Sequence, residues 1–133
     1  CLIEVQVEGT EQSEDSRYIA RHICASSLVK TAIHGCDPNW GRILAALGNT
    51  GISFNPEEIC LWIGPYQLIQ AGEPIHFHRE DVSKYIRQKL QGEYLINDSV
   101  VIRLSIGNGS GKGFAWGCDL SDQYVRINAD YTT

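Results

Sequence analysis

The chain has 133 residues, 43% of them hydrophobic and 20% charged, which is typical of a single packed globular domain. Eleven basic residues against sixteen acidic ones give a formal net charge of -5, and the lack of a Lys/Arg cluster argues against a nucleic-acid partner. No apolar run approaches the roughly 20 residues that span a bilayer, and the first residues lack the basic region of a signal peptide. We therefore expect a soluble, cytoplasmic protein with no membrane partner.

Cysteine usage agrees with an intracellular location. The cysteines are odd in number and widely spaced, and they form neither a C-x-x-C pair nor a regular framework. We expect free thiols at all five positions, which are Cys1, Cys24, Cys36, Cys60 and Cys118.

The chain opens with a predicted strand. Residues 2–8 alternate apolar and polar side chains, a period typical of a half-buried strand. Because the first residue is not Met, we expect further polypeptide before it in the full gene product. A polar turn follows at residues 9–14, where the Ser13 hydroxyl is placed to accept from an amide of a helical first turn.

Two helices are predicted next. A long one runs from Ser13 to the stop signal Gly35, and Asp37-Pro38 then predicts the N-cap and first residue of another that ends at Gly48. The apolar stripe of the long helix has helical spacing and comprises Ile19, Ala20, Ile23, Cys24, Ser27 and Leu28.

The second half of the chain predicts more strand than helix. We expect strands at 58–63, 66–69, 99–106 and 114–118, the last two forming a hairpin around a loop at 107–113. Residues 80–90 have the pattern of an amphipathic helix, and Asp119 or Ser121 can cap a short final one. The predicted fold class is α+β, with helices on one face of a largely antiparallel sheet, in a single domain spanning 1–133.

Motifs for nucleotide binding fail in the glycine-rich loop. The phosphate-binding pattern G-x-x-x-x-G-K-[ST] places Ile106 at its first Gly and Gly113 at its Ser/Thr. The dinucleotide pattern fails because Lys112 falls where its third Gly belongs. A flexible hairpin loop is the favoured interpretation.

Metal and nucleophile motifs are also incomplete. His76, His78 and Glu80 alternate as a strand would and could face one side, but nothing completes a metal site, and a solvated edge strand or loop is favoured. No G-x-S-x-G elbow appears, and only geometry would reveal a Ser/His/Asp or Cys/His set. We expect neither a metal ion nor a cofactor, and no complete active site within this chain.

Two stretches are more specific. One is S-S-L-V-K-T-A at residues 26–32 with D-P-N-W-G-R-I-L-A-A at 37–46; the other is A-W-G-C-D-L at 115–120 running into Y-V-R-I-N-A-D-Y-T-T at 124–133. Together they closely resemble the bifunctional ornithine acetyltransferase/glutamate N-acetyltransferase family. The resemblance covers essentially the whole chain, and it implies a layered α/β/β/α-type acetyltransferase fold.

The resemblance implies a precursor that cleaves itself before a threonine into α and β chains, usually assembled as α₂β₂. That threonine takes acetyl from N2-acetylornithine and passes it to glutamate through an acyl-enzyme. Many members also accept acetyl-CoA. The nucleophile and its oxyanion-hole residues would precede Cys1, so the chain would be the C-terminal portion of β and would supply no catalytic residue. A plastid location stays open for a plant source.

The family's substrate-binding positions in the tail correspond to Asn128 and Thr133. An amino-acid substrate presents a carboxylate and ammonium groups, which suit an amide and a hydroxyl. The α-carboxylate of Thr133 would also attract the ornithine ammonium, which is a hypothesis of ours.

The first stretch has two interpretations. Its polar and aromatic residues either support the fold or position the site, with Asp37 as a cap, Trp40 as a core aromatic with its N–H bonded, and Arg42 as the partner of a carboxylate. The residues in question are Lys30, Asp37, Asn39, Trp40 and Arg42. Two other functions stay open: a binding module that kept the fold without the enzyme, and a related self-cleaving aminopeptidase.

Overall fold

The computed structural model describes residues 2–91 and 99–118, which contain six strands and four α-helices. A 3₁₀ turn, Pro56–Glu58, precedes the second strand. In chain order the elements are β1 (Leu2–Thr10), α1 (Ser13–Ala25), α2 (Ser27–His34), α3 (Trp40–Gly48), β2 (Cys60–Ile63), β3 (Tyr66–Gln70), β4 (Glu73–Pro74), α4 (Arg79–Leu90), β5 (Ser99–Ser105) and β6 (Gly111–Cys118).

All six strands form one sheet in the order β4-β3-β2-β5-β1-β6. Only β1 and β5 run parallel; the other neighbours are antiparallel, which confirms the predicted α+β class with a largely antiparallel sheet. The predicted hairpin of β5 and β6 is wrong, because β1 lies between them and Val5 pairs with Ile102 on one side and Ala115 on the other. Local alternation identifies a strand but does not say which strand it pairs with.

One face of β1 and β6 is buried under α1. Ile3, Val5 and Val7 are at most 2% exposed, and the approach of α1 is so close that a Cβ at Gly113 would lie under 3.0 Å from the backbone of Arg17. Helices α2 and α3 pack against α1, and α4 packs beside β5. The opposite face of β1 and β6 carries exposed side chains, including Phe114.

The predicted long helix is two helices. Ser26 has extended backbone (ψ 119°) and separates α1 from α2, and its hydroxyl accepts from the Val29 amide at 3.3 Å. The four α1 members of the predicted stripe are buried, but Ser27 and Leu28 are exposed, because the stripe does not continue past the break. In the described ranges we find no helix with the length and apolar character that crossing a bilayer requires.

Ser13 is not the predicted cap. It is the first residue of α1, Gln12 holds the cap position, and no side chain caps that end. The Ser13 hydroxyl instead accepts from the Lys112 amide at 3.2 Å, which ties α1 to β6. Beneath the first turn, the buried Thr10 and Ser16 hydroxyls lie 2.5 Å apart.

Helix α2 ends at His34, next to the predicted stop Gly35, but the left-handed residue is Cys36 with φ 55°. The Cys36 amide donates to Ile33 O at 2.9 Å and the Asp37 amide donates to Ala32 O at 2.8 Å. This is the Schellman pattern, which satisfies the last carbonyls of a helix.

Candidate functional site

The residues predicted to bind substrate lie outside the described part of the structure. Asn128 and Thr133, and the final helix predicted from Asp119 or Ser121, all follow Cys118, the last described residue. Their roles therefore stay predictions.

The stretch around Asp37 forms a compact polar turn before α3. Asn39 is the N-cap, and its Oδ1 accepts from the Arg42 amide at 3.1 Å. The prediction of Asp37 as the N-cap is wrong by two residues. The Asn39 amide donates to Asp37 O and the Trp40 amide donates to Pro38 O, so residues 37–39 form a turn and the helix begins only at Trp40. Asp and Asn are equally good caps, so composition did not decide between them.

Asp37 instead links two parts of the chain. Its carboxylate forms an ion pair with Arg79 in the first turn of α4 and accepts from Asn39 Nδ2 at 3.2 Å. The Arg79 side chain is 64% exposed and that of Asp37 is 32% exposed, so this pair contributes little to stability. Sequence reasoning missed Arg79, which is 42 residues away from Asp37 and carries no local signal except its charge.

Arg42 and Trp40 serve the packing of the helices. Arg42 Nη1 donates to the carbonyl of Leu28 at 3.1 Å, which joins α3 to α2; the predicted carboxylate partner is not found among the described residues. Trp40 is half-buried and packs against the core. These contacts support the structural interpretation of the stretch, and the half-buried Lys30 shares the α2 segment.

Replacing Asn39 by alanine is expected to lower the free energy of unfolding by about 1 kcal/mol, since an N-cap is lost. Asp37→Ala should cost less, because an exposed ion pair contributes between about 0 and 1 kcal/mol. Urea unfolding of both variants measures the difference. A larger loss of unfolding free energy for Asp37→Ala than for Asn39→Ala would identify Asp37, and not Asn39, as the N-cap.

The structure places the glycine-rich loop against the end of β1 and the two histidines in an irregular segment before α4. The loop that leaves β5 packs on the end of β1, where the Gly109 amide donates to Gly9 O at 3.0 Å. His76 and His78 are exposed in a segment without regular structure, and Glu80 lies in α4. The favoured interpretation of a solvated loop is therefore confirmed for the two histidines, and the three side chains do not alternate along one strand. Within 2–91 and 99–118, no group of three His, Cys, Asp or Glu is placed to hold a metal.

The buried thiol of Cys24 is an unsuitable nucleophile. It lies between α1 and the sheet and donates to Ala115 O at 3.4 Å. Burial raises its pKa to about 11, which keeps it protonated at neutral pH, where only the thiolate would react. The four described cysteines are all free thiols, as predicted.

The raised pKa of Cys24 predicts a loss of stability in alkali. The folded state holds the proton up to about pH 11 and the unfolded state up to about pH 9, so stability present below pH 9 declines as the pH rises towards 11. Urea unfolding between pH 8 and 10.5 should show a shallower decline for Cys24→Ala than for wild type. Cys118→Ala, at an exposed position, is the control, and equal slopes in all three proteins would contradict the assignment.

The face of the sheet that α1 does not cover carries a connected set of side chains among the described residues. Trp116 Nε1 donates to Glu4 Oε1 and Gln6 Nε2 donates to Glu4 Oε2, both at 2.8 Å. The Phe114 and Trp116 rings pack edge to face with their centroids 4.8 Å apart. Beside them is an open concavity of about 500 Å³, lined in part by Arg103. Nothing in the sequence pattern except the alternation of β1 and β6 pointed to this arrangement.

The model of the ArgJ family matches residues 1–133. The chain belongs to the ArgJ family. Over its whole length it is 60% identical to the "Arginine biosynthesis bifunctional protein ArgJ" of Prochlorococcus marinus strain MIT 9313, and it covers 31% of that protein. It is also 60% identical to 32% of the protein of that name from strain NATL2A.

A solved ArgJ structure has the same fold. The crystal structure of the arginine biosynthesis bifunctional protein ArgJ from Bacillus halodurans superposes with a TM-score of 0.85 at 42% identity, over 98% of this chain and 57% of that one. The chain spans about a third of the length of the curated ArgJ relatives. The resemblance that the two sequence stretches carried is confirmed by the family model, the curated relatives and the solved structure.

Proposed function

We propose that this chain is the C-terminal portion of an acetyltransferase of arginine biosynthesis, which moves acetyl from N2-acetylornithine to glutamate. The observation that carries the proposal is the match of the ArgJ family over all 133 residues. The names of the relatives, arginine biosynthesis bifunctional protein ArgJ, and the 42% identity to a solved ArgJ chain support it.

The proposed reaction has two acyl transfers. A threonine hydroxyl from polypeptide preceding Cys1 attacks the acetyl carbonyl, the amide C–N bond breaks, and ornithine leaves with the proton that its amine requires. The glutamate amine then attacks the acyl-threonine ester, which restores the hydroxyl and yields N-acetylglutamate. Dividing the transfer in this way replaces one difficult step by two easier ones.

Asn128 and Thr133 are the residues that we propose bind substrate. The Asn128 amide offers a donor to a carboxylate and an acceptor to an ammonium group, and the Thr133 hydroxyl offers both. The described β6 ends at Cys118, ten residues before Asn128.

The charge at the C-terminus offers a separate test. If Thr133 is the last residue of the full-length protein and its α-carboxylate attracts the ornithine ammonium, an amidated or extended C-terminus should raise the KM for N2-acetylornithine. Semisynthetic full-length protein with a C-terminal amide, assayed against the same protein with the free acid, measures the change. Unchanged affinity would remove the carboxylate from the site while leaving the hydroxyl in it.

The partners that we propose are the α chain and the N-terminal part of the β chain of the same precursor, in an α₂β₂ assembly in the cytoplasm. The small molecules are N2-acetylornithine and glutamate, with acetyl-CoA as a further donor to be tested.

The activity test uses the full-length gene product. We expect it to transfer labelled acetyl from N2-acetylornithine to glutamate and to leave peptide substrates intact. Peptide hydrolysis without acetyl transfer would establish an aminopeptidase instead. If the protein showed neither activity, a binding module would be the remaining interpretation.

A further inference from the structure

An exposed Asn-Gly pair lies in the loop that leaves β5. Among the asparagines of the chain, Asn108 is the one that a glycine follows. Asn108 and Gly109 are both exposed, so water reaches the side-chain amide. Asparagine is a thermolabile residue, and glycine has no Cβ to hinder an attack by its own backbone nitrogen. The pair therefore has the residues for a reaction between a backbone amide and a side-chain amide.

Backbone contacts hold this loop against the end of β1. The Ile106 amide donates to Glu8 O and the Gly109 amide donates to Gly9 O, both at 3.0 Å. The approach is close, because a Cβ at position 109 would lie under 3.0 Å from Thr10 O. The Gly109 nitrogen is thus engaged in a hydrogen bond, and it becomes free to react only when this bond opens.

We propose that Asn108 is a site of spontaneous deamidation and that the hydrogen bond from the Gly109 amide to Gly9 O controls its rate. The Gly109 nitrogen attacks Asn108 Cγ and closes a five-membered succinimide ring. The Cγ–Nδ2 bond breaks, and ammonia leaves with the proton of the Gly109 amide. Water then adds to one of the two ring carbonyls and breaks its C–N bond. Position 108 becomes an aspartyl residue or an isoaspartyl residue, whose main chain runs through the former side-chain carbon.

The aspartyl product would place a new carboxylate in an acidic concavity. Asn108 lines this concavity together with Glu11, Asp15 and Glu58, and none of the described residues that line it is Lys, Arg or His. The Glu58 carboxylate is near, since a Cβ on Gly107 would lie 3.3 Å from its Oε2. Like charges repel, so deamidation is expected to destabilise the folded protein.

The isoaspartyl product would also lengthen the main chain by one carbon. The loop has no room for it, because the backbones of Gly9 and Gly107 approach so closely that a Cβ at position 9 would lie under 3.0 Å from Gly107 O. We expect the bond from the Gly109 amide to Gly9 O to be lost in this product. Both products therefore weaken the contact of the loop with β1, whether or not the protein transfers acetyl groups.

Mass spectrometry of peptides from the full-length protein, aged at pH 8, tests the site. Two exposed asparagines in the same molecule are controls: Asn49 precedes the β-branched Thr50, and Asn55 precedes Pro56, which has no N–H to attack with. Asn108 should deamidate at least about tenfold faster than either control. A rate at Asn108 no higher than that at Asn49 would overturn the proposal.

Hydrogen exchange in the same samples tests the control by the hydrogen bond. If the bond must open first, urea below the unfolding transition should raise the exchange rate of the Gly109 amide and the deamidation rate of Asn108 by the same factor. Full unfolding should raise the deamidation rate at least about fivefold over that of the native protein. Equal rates in the native and unfolded protein would contradict a controlling role for the bond.

Two variants test the consequence of the new charge. Asn108→Asp carries the charge of the product, whereas Asn108→Gln keeps a neutral amide. Asn108→Asp should lower the Tm of the full-length protein by about 1–2 °C relative to Asn108→Gln at low ionic strength. The difference should shrink in high salt, which screens the carboxylates. Equal Tm values of the two variants at low ionic strength would contradict the repulsion within the acidic concavity.

Discussion

Replacing Asn128 by alanine is expected to lower kcat/KM for N2-acetylornithine about ten- to a hundredfold. A hydrogen bond to a charged group contributes about 1.5–3 kcal/mol, and each 1.36 kcal/mol corresponds to a factor of ten. The loss should appear mainly in KM if the bond is equally strong in the ground state and the transition state. Initial rates over a range of N2-acetylornithine concentrations measure both constants.

Asn49→Ala is the control for this variant, because Asn49 is an exposed residue at the end of α3. Its kinetic constants should match those of wild type. An Asn128→Ala enzyme with wild-type KM and kcat would exclude Asn128 from the substrate site. A fall in kcat alone would instead mean that the amide acts only in the transition state.

Replacing Gly113 by valine is expected to destabilise the protein by about 1–3 kcal/mol or more, the usual range for overpacking. The added Cβ would lie under 3.0 Å from the backbone of Arg17 in α1, and backbone atoms cannot move aside as a flexible side chain can. Helix α1 would have to lift from β6, which would also disturb the bond from the Lys112 amide to Ser13.

Gly48→Ala is the matched control, since a Cβ there meets nothing within 4 Å. This change within α3 should leave stability unchanged or raise it by up to about 1 kcal/mol. Urea unfolding at neutral pH measures both variants. Equal stability of Gly113→Val and wild type would mean that α1 does not approach β6 as closely as described.

Most of the elements were predictable because their signals are local. The alternation of Ile3, Val5 and Val7 identifies β1, and the helical spacing of Ile43 and Leu47 identifies α3, without knowledge of any distant residue. The break at Ser26 was missed because the helical spacing of the stripe continues past it to Leu28, although Ser is a favoured N-cap and caps α2 here. The placement of β1 between β5 and β6 depends on how three strands are buried together. A short stretch of sequence around any one of them does not contain that information.

The candidate site divides in the same way. Asn128 and Thr133 came from a resemblance and stay predictions, since neither is among the described residues. The ion pair of Asp37 with Arg79 and the bond of Trp116 to Glu4 join residues 42 and 112 positions apart. Opposite charges and indole donors occur throughout the chain, so only the fold selects these pairs.

Bisubstrate kinetics of the full-length protein test the central claim most directly. Acetyl transfer from N2-acetylornithine to glutamate should give parallel double-reciprocal lines, because ornithine leaves before glutamate reacts with the acyl-enzyme. Intersecting lines, or no transfer of acetyl to glutamate, would contradict the account.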